Sequence, residues 1–291
     1  MKRAAVILGI LSLATWAVAQ NTGQAAPQTP VTGQAAPAAG TAAQPAAKRP
    51  PQAKTQPEFD AYKAAAASTD AASFEKATDD FATKFPDSEL RGLLYKNAMR
   101  QYQAANNAEK TEAMGRKLLA IDGDDPEALT TVAEVIAERT RDSDLDRDQR
   151  FDEAVKMAQK ATTTVDTDIS VPANTPQDKI DAYKALLRSN AYSIIGTIEY
   201  KKDNFAGAQT DLQKSIDAFP SSPDPVVVLR LALALDKQQK YPEALKVATR
   251  AVELTQDSTV VGTTARRERD RLQQLTGGAP PAQSTTPPSK N

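Results

Sequence analysis

Apolar residues recur through most of this chain with the period of an α-helix. Between about residues 57 and 275 they return every three or four positions, and no alternating pattern typical of β-strands is found. Helix-breaking residues such as Pro86 and Pro126 interrupt the pattern at intervals. The pattern predicts an all-α fold of consecutive helices. One predicted helix face consists of Phe74, Ala77, Phe81 and Phe85.

The stretch from Ser189 to Ser222 shows how two such helices would pack. Twelve residues separate Gly196 from Ala208, and the next three marked residues follow at intervals of four, three and five. Small residues are expected where antiparallel helices cross, with a large apolar residue between them and a proline after the unit. The marked residues are Tyr192, Gly196, Ala208, Leu212, Ser215 and Pro220.

The same intervals return in the unit Pro225 to Gln256, at Ala232, Tyr241, Ala244, Ala248 and Ala251. This spacing resembles the tetratricopeptide repeat family, whose units pair two helices in about 34 residues. The resemblance implies an all-α, right-handed helical-repeat solenoid, with a ligand groove on its concave face. We expect about five antiparallel helix pairs and a C-terminal capping helix over Thr259 to Leu275.

The earlier units match this spacing less closely. We expect one pair over residues 58–85, a second over 90–105 and 108–121, and a third that begins at Pro126. Two polar insertions follow, a highly charged one over 139–150 and another over 165–174. The repeat domain is predicted to span residues 57–275.

The N-terminus has the pattern of a secretory signal over residues 1–19. Basic Lys2 and Arg3 precede an apolar run that ends in Ala-Val-Ala, so cleavage is expected before Gln20. The run is shorter than the roughly 20 residues that span a bilayer. An uncleaved anchor is the alternative. We expect an exported chain, periplasmic or secreted, with no stable membrane span after cleavage.

Two flanking segments are poor in large apolar residues. Residues 20–56 consist mainly of Ala, Gln, Thr, Pro and Gly, and residues 276–291 have a similar Pro/Thr/Ser-rich composition. Such segments bury too little apolar surface to offset their ordering entropy, so disorder is expected in both. The first is interpreted either as a spacer in the envelope or as a solubilising tail.

Missing residue types narrow the possible chemistry. The 291 residues include no His and no Cys, which excludes His- or Cys-based catalysis, thiolate zinc sites and disulfides. A formal net charge of −1 gives no general attraction to nucleic acid or anionic membranes. We therefore expect neither an enzyme nor a cofactor-binding protein.

The charged insertion contains one candidate metal site. Five carboxylates occupy the first, third, fifth, seventh and twelfth places of a segment that resembles the calcium loop of an EF-hand. However, Arg147 stands where that loop requires glycine. The alternative is a solvated loop of mixed charge. The candidate ligands are Asp142, Asp144, Asp146, Asp148 and Glu153.

The candidate partner-binding groove lies on the first helices of the two best repeats. These positions lack the Lys–Asn pattern with which some tetratricopeptide repeats bind a peptide carboxylate. Arg230 stands alone in an aliphatic run, and it is interpreted either as a contact for an acidic partner or as a cation that extends to solvent. The groove residues are Asn190, Ser193, Thr197, Tyr200, Lys201 and Arg230.

Together these features predict a scaffold or adaptor of the bacterial cell envelope that binds a protein or peptide. The envelope context rests on analogy with exported repeat proteins. Two alternatives stay open. One is a calcium-linked or small-ligand regulatory module that uses loop 142–153, and the other is a structural protein that self-associates.

Overall fold

The fold is described by a computed structural model that covers residues 49–172 and 174–277. Within these ranges the chain forms eleven α-helices and no β-strand, arranged in sequence as five successive pairs and a final helix. The all-α prediction is confirmed. The helices are α1 (Gln56–Ala66), α2 (Ala71–Lys84), α3 (Leu90–Ala104), α4 (Ala108–Ile121), α5 (Pro126–Arg139), α6 (Arg147–Thr164), α7 (Gln177–Lys201), α8 (Phe205–Ala218), α9 (Pro225–Lys237), α10 (Tyr241–Glu253) and α11 (Val260–Leu275).

Three sequence predictions fall wholly or mostly outside the described residues. The predicted signal, residues 1–19, lies outside them, as does most of the predicted linker 20–56 and of the tail 276–291.

The described end of the linker differs from the prediction of disorder. The backbone N–H of Gln52 donates to Glu89 at 3.2 Å, and Lys54 Nζ donates to the Asp87 carbonyl at 2.8 Å. These hydrogen bonds attach residues 49–55 to the start of α3.

The described residues form two compact units. The first contains residues 49–125 and 164–180, and the second contains 126–163 and 181–277. In the first unit α1 packs on α2, α2 on α3, and α3 on α4. Its buried side chains include Phe74, Phe81, Leu94, Met99 and Leu118.

Polar side chains connect α2, α3 and α4 in two similar clusters. In one, Tyr102 donates to Glu75, and Lys110 Nζ lies 2.8 Å from Oε1 of the same carboxylate. In the other, Tyr95 donates to Asp79 at 2.9 Å, and Lys117 Nζ lies 2.7 Å from Asp79. Each of these two carboxylates of α2 is thus shared by a tyrosine of α3 and a lysine of α4.

A buried ion pair also belongs to the first unit. Lys96 of α3 pairs with Asp125, and the two side chains are 9% and 2% exposed. Pairing offsets part of the large cost of removing both charges from water. The sequence indicates that the next helix begins at Pro126, directly after Asp125, and it gives no sign of this ion pair.

The core of the second unit lies among α8, α9, α10 and α11. Helix α9 packs on α8, α10 and α11, and α10 also packs on α11. Several alanines belong to this core. Ala232, Ala244, Ala248 and Ala251 are fully buried, and Tyr241 lies against the cluster. Leu272 of α11 is also fully buried, whereas Leu275 is 52% exposed and contributes less to the predicted cap.

Helices α7 and α8 approach closely at Gly196. A Cβ atom added to Gly196 would lie 2.7 Å from Cγ of Leu212, which is closer than real side chains allow. The Ser189 hydroxyl donates to the Ser215 carbonyl at 2.8 Å in the same interface. Ala208, Leu212 and Ser215 are buried, Tyr192 is partly buried, and Pro220 is exposed after the end of α8.

Candidate functional site

The predicted groove residues lie on α7 and α9, within the second unit. The Nη1 atom of Arg230 donates to Oγ1 of Thr197 at 2.7 Å, so the two helices are joined at this face. Asn190, Thr197 and Arg230 are partly exposed, whereas Ser193 is buried and only 8% exposed. We call Asn190, Thr197, Tyr200 and Arg230 the α7–α9 face.

Tyr200 presents a polar group at the edge of the core. Its ring packs edge-on against Phe205, with the ring centroids 5.4 Å apart, and it borders the buried cluster of the second unit. Burial raises the pKa of the Tyr200 hydroxyl, and the nearby Arg230 opposes that change. The hydroxyl therefore stays protonated at neutral pH and is able both to donate and to accept a hydrogen bond.

Lys201 does not take part in the α7–α9 face. Its Nζ donates to the carbonyl of Ala137 at 2.6 Å, in the last turn of α5. A cation at this place complements both the unpaired carbonyls and the negative end of the helix dipole. Burial lowers the pKa of Lys201, and the positive charge of Arg230 lowers it further. Lys201 is thus a structural contact between α7 and α5.

Arg147 connects the charged insertion to α7 and to the first turns of α6. Its Nη2 donates to the Lys201 carbonyl at 2.6 Å, and its Nε lies 3.3 Å from Oδ1 of Asp142. The Phe151 ring is contacted by both cations, with Arg147 Cζ at 5.1 Å and Lys201 Nζ at 5.4 Å from its centroid. Since Phe151 is fully buried, these contacts fix the start of α6.

The five candidate calcium ligands are not brought together. Among the described residues, no group of three or more acidic side chains is placed to hold a metal ion. The reason is that α6 begins at Arg147, so Asp148 and Glu153 lie on a helix and not in a loop. Asp142 and Asp148 instead flank the guanidinium of Arg147.

The comparisons with known proteins identify no family. No family model matches the chain, and no curated protein matches it. A solved structure described as the assembly chaperone of RpL4 (Acl4), residues 1–338, aligns with 12% identity and a TM-score of 0.36. That alignment covers 76% of this chain and 98% of the other. In the described part of this chain, no helix has both the length and the apolar character that a membrane crossing needs.

Sequence reasoning missed the roles of Arg147 and Lys201. One signal was present, because Arg147 occupies the position that excludes a standard calcium loop. The carbonyls that Lys201 reaches lie more than sixty residues away in sequence, at the end of α5. The α7–α9 face presents one guanidinium, two hydroxyl groups and one amide. This set of groups suits polar recognition.

Proposed function

We propose that the chain is a non-enzymatic scaffold that binds a protein or peptide through the α7–α9 face. The hydrogen bond between Arg230 and Thr197 carries this proposal, because it places a guanidinium on a half-buried surface between two repeat helices. Guanidinium groups favour carboxylate and carbonyl acceptors, and partial burial strengthens such bonds. The partner segment is therefore expected to present acidic or backbone acceptor groups.

A scaffold role is also supported by the composition and the architecture. The sequence contains no His or Cys. The helices follow one another in pairs, so that side chains of one pair lie beside those of the next. Stacked helices of this kind bind with little backbone rearrangement. The basic and apolar N-terminus supports an exported location in the cell envelope.

Site-specific photocrosslinking in intact cells tests the proposed face. A photoreactive residue replaces Asn190 in one protein and exposed Arg267 of α11 in a control protein, so the bond between Arg230 and Thr197 is kept in both. We expect a discrete crosslinked partner from position 190 only. Adding Arg230→Ala should abolish that crosslink, while Arg267→Ala should not affect it. Equal crosslinking from both positions, or a crosslink that survives Arg230→Ala, contradicts the proposed face.

A further inference from the structure

The loop between α5 and α6 presents one apolar side chain in an acidic surrounding. We call residues 140–146 the acidic loop. Leu145 is fully exposed, and it is flanked in sequence by Asp144 and Asp146. A fully exposed leucine gains transfer free energy when a partner removes it from water, so a leucine at a loop tip is able to serve as an anchor for a protein contact.

Hydrogen bonds stabilise the backbone of the acidic loop. It contains two successive turns, in which the Asp144 N–H donates to the Arg141 carbonyl and the Arg147 N–H donates to the Asp144 carbonyl, both at 3.1 Å. The Asp144 carboxylate accepts from the Arg141 N–H at 2.9 Å. With the base fixed by Arg147 on Phe151, Leu145 is presented without a large loss of loop entropy on binding.

A groove of the second unit has the complementary properties. It has a volume of about 870 Å³ and lies between α8 and α10, over buried Leu231 and Leu235 of α9 and partly exposed Val247. We call it the α10 groove. Its charged lining residues are Lys240, Lys246, Arg250, Glu243 and Glu253, so cations outnumber carboxylates.

The cations of the α10 groove are on the open side of the helix. Lys246 and Arg250 are exposed and one helical turn apart on α10, while Lys240 donates to Gln209 across the groove. The acidic loop carries Asp142, Asp144 and Asp146 around Leu145. Of these three carboxylates, Asp142 is the one that forms an ion pair with Arg147, at 3.3 Å. The Asp142 side chain nevertheless remains 90% exposed.

We propose that the acidic loop of one copy binds in the α10 groove of a second copy. Leu145 rests on the apolar part of the groove beside Val247, and the loop carboxylates pair with Lys246 and Arg250. The acidic loop and the α10 groove are different surfaces, so the contact is heterologous, and an open chain of copies keeps one unused loop at one end and one unused groove at the other. A loop tip buries less than the roughly 1,200 Å² of a standard interface, so the association is weak and depends on protein concentration and salt.

Sedimentation velocity of the whole chain over a range of concentrations tests this contact. The wild type should show an average mass that increases with concentration, and this increase should diminish in high salt. Leu145→Ser removes the anchor, and Lys246→Glu with Arg250→Glu reverses the groove charge. Each variant should remain monomeric. Matched controls are Leu254→Ser, another exposed leucine, and Lys237→Glu, an exposed cation that does not line the groove.

Mixing the two interface variants gives the decisive result. Leu145→Ser keeps an intact groove, and the charge-reversed variant keeps an intact loop, so an equimolar mixture should form a 1:1 dimer that does not grow further. Because every substituted side chain is exposed, thermal unfolding should be unchanged in both variants. A wild type that stays monomeric throughout, or a mixture that fails to associate, overturns the proposal. Association through another surface is shown if Leu145→Ser behaves as the wild type does.

Discussion

At the scale of the residue, Gly196 sets how closely α7 approaches α8. A Cβ atom added to it would lie 2.7 Å from Leu212 Cγ and 2.9 Å from the Leu212 backbone nitrogen, which leaves no room for a methyl group. The leucine side chain has some freedom to rotate, but the backbone nitrogen of a helix does not. Glycine is therefore required here by close helix approach and not by an unusual φ.

Replacing Gly196 with alanine should destabilise the protein. Overpacking of this kind lowers the free energy of unfolding by roughly 1–3 kcal/mol, against which helix propensity regains about 1 kcal/mol. Gly92→Ala in α3 is the control, since its Cβ would lie at an ordinary 3.5 Å from Leu118. That variant should be as stable as the wild type or slightly more stable. Urea unfolding, followed by circular dichroism, measures the free energy of unfolding of both variants. A Gly196→Ala protein as stable as the wild type would show that α7 and α8 move apart at little cost.

The buried pair of Lys96 and Asp125 gives a second test at this scale. Lys96→Met leaves a carboxylate that is 2% exposed without its cation, which should cost about 3–5 kcal/mol. Adding Asp125→Asn removes the charge that Lys96 balanced, so the double variant should recover most of that loss. The same urea titration measures the three proteins. A double variant no more stable than Lys96→Met would show that the uncompensated carboxylate is not the cause of the loss.

At the scale of the element, the sequence predicts helices well and their long-range polar contacts poorly. The predicted starts of α3, α4 and α5 coincide with Leu90, Ala108 and Pro126 of the structure, because apolar periodicity and helix-breaking residues are local signals. The role of Lys201 was not predictable, since its carbonyl partners belong to a distant helix end. Asn190, Thr197, Tyr200 and Arg230 remain a predicted binding surface.

The cluster around Glu75 makes the stability of α2–α4 depend on pH. Burial raises the pKa of Glu75, but hydrogen bonds from Lys110 and Tyr102 outweigh it and leave the pKa below the usual 4.5. A lowered pKa in the folded state stabilises the fold above pH 4.5, and this stabilisation is lost as the pH falls through the folded-state value. Burial, together with the hydrogen bond to Glu75, raises the pKa of Tyr102 to about 12.

We therefore expect Glu75→Gln to lower the melting temperature at pH 7 and to have little effect in strongly acidic buffer. The control is Asp80→Asn on the same helix, which removes only the exposed ion pair with Lys76. Exposed pairs contribute about 0–1 kcal/mol, so this variant should melt close to the wild type at both pH values. If Glu75→Gln lowers the melting temperature as much in acid as at neutral pH, ionisation of Glu75 is not the cause.

At the scale of the whole molecule, the two proposed contacts use different surfaces. The α7–α9 face and the α10 groove belong to the same unit, yet one is formed by α7 and α9 and the other mainly by α8 and α10. Partner binding and self-association are therefore separable by substitution. Arg230→Ala should leave sedimentation unchanged, and Leu145→Ser should leave the crosslink from position 190 unchanged, whichever of the two proposals holds.

The predicted export of the chain has a simple optical test, because Trp16 is its only tryptophan and lies in the predicted signal. Protein isolated from the periplasm should begin at Gln20 and show tyrosine emission without tryptophan emission. Replacing both Ala17 and Ala19 with leucine removes the small residues that signal cleavage requires, so that variant should keep tryptophan emission and the precursor mass. Tryptophan emission from wild-type protein in the membrane fraction would instead support the retained anchor. Intact-mass measurement of the same samples distinguishes the two outcomes, since cleavage removes residues 1–19.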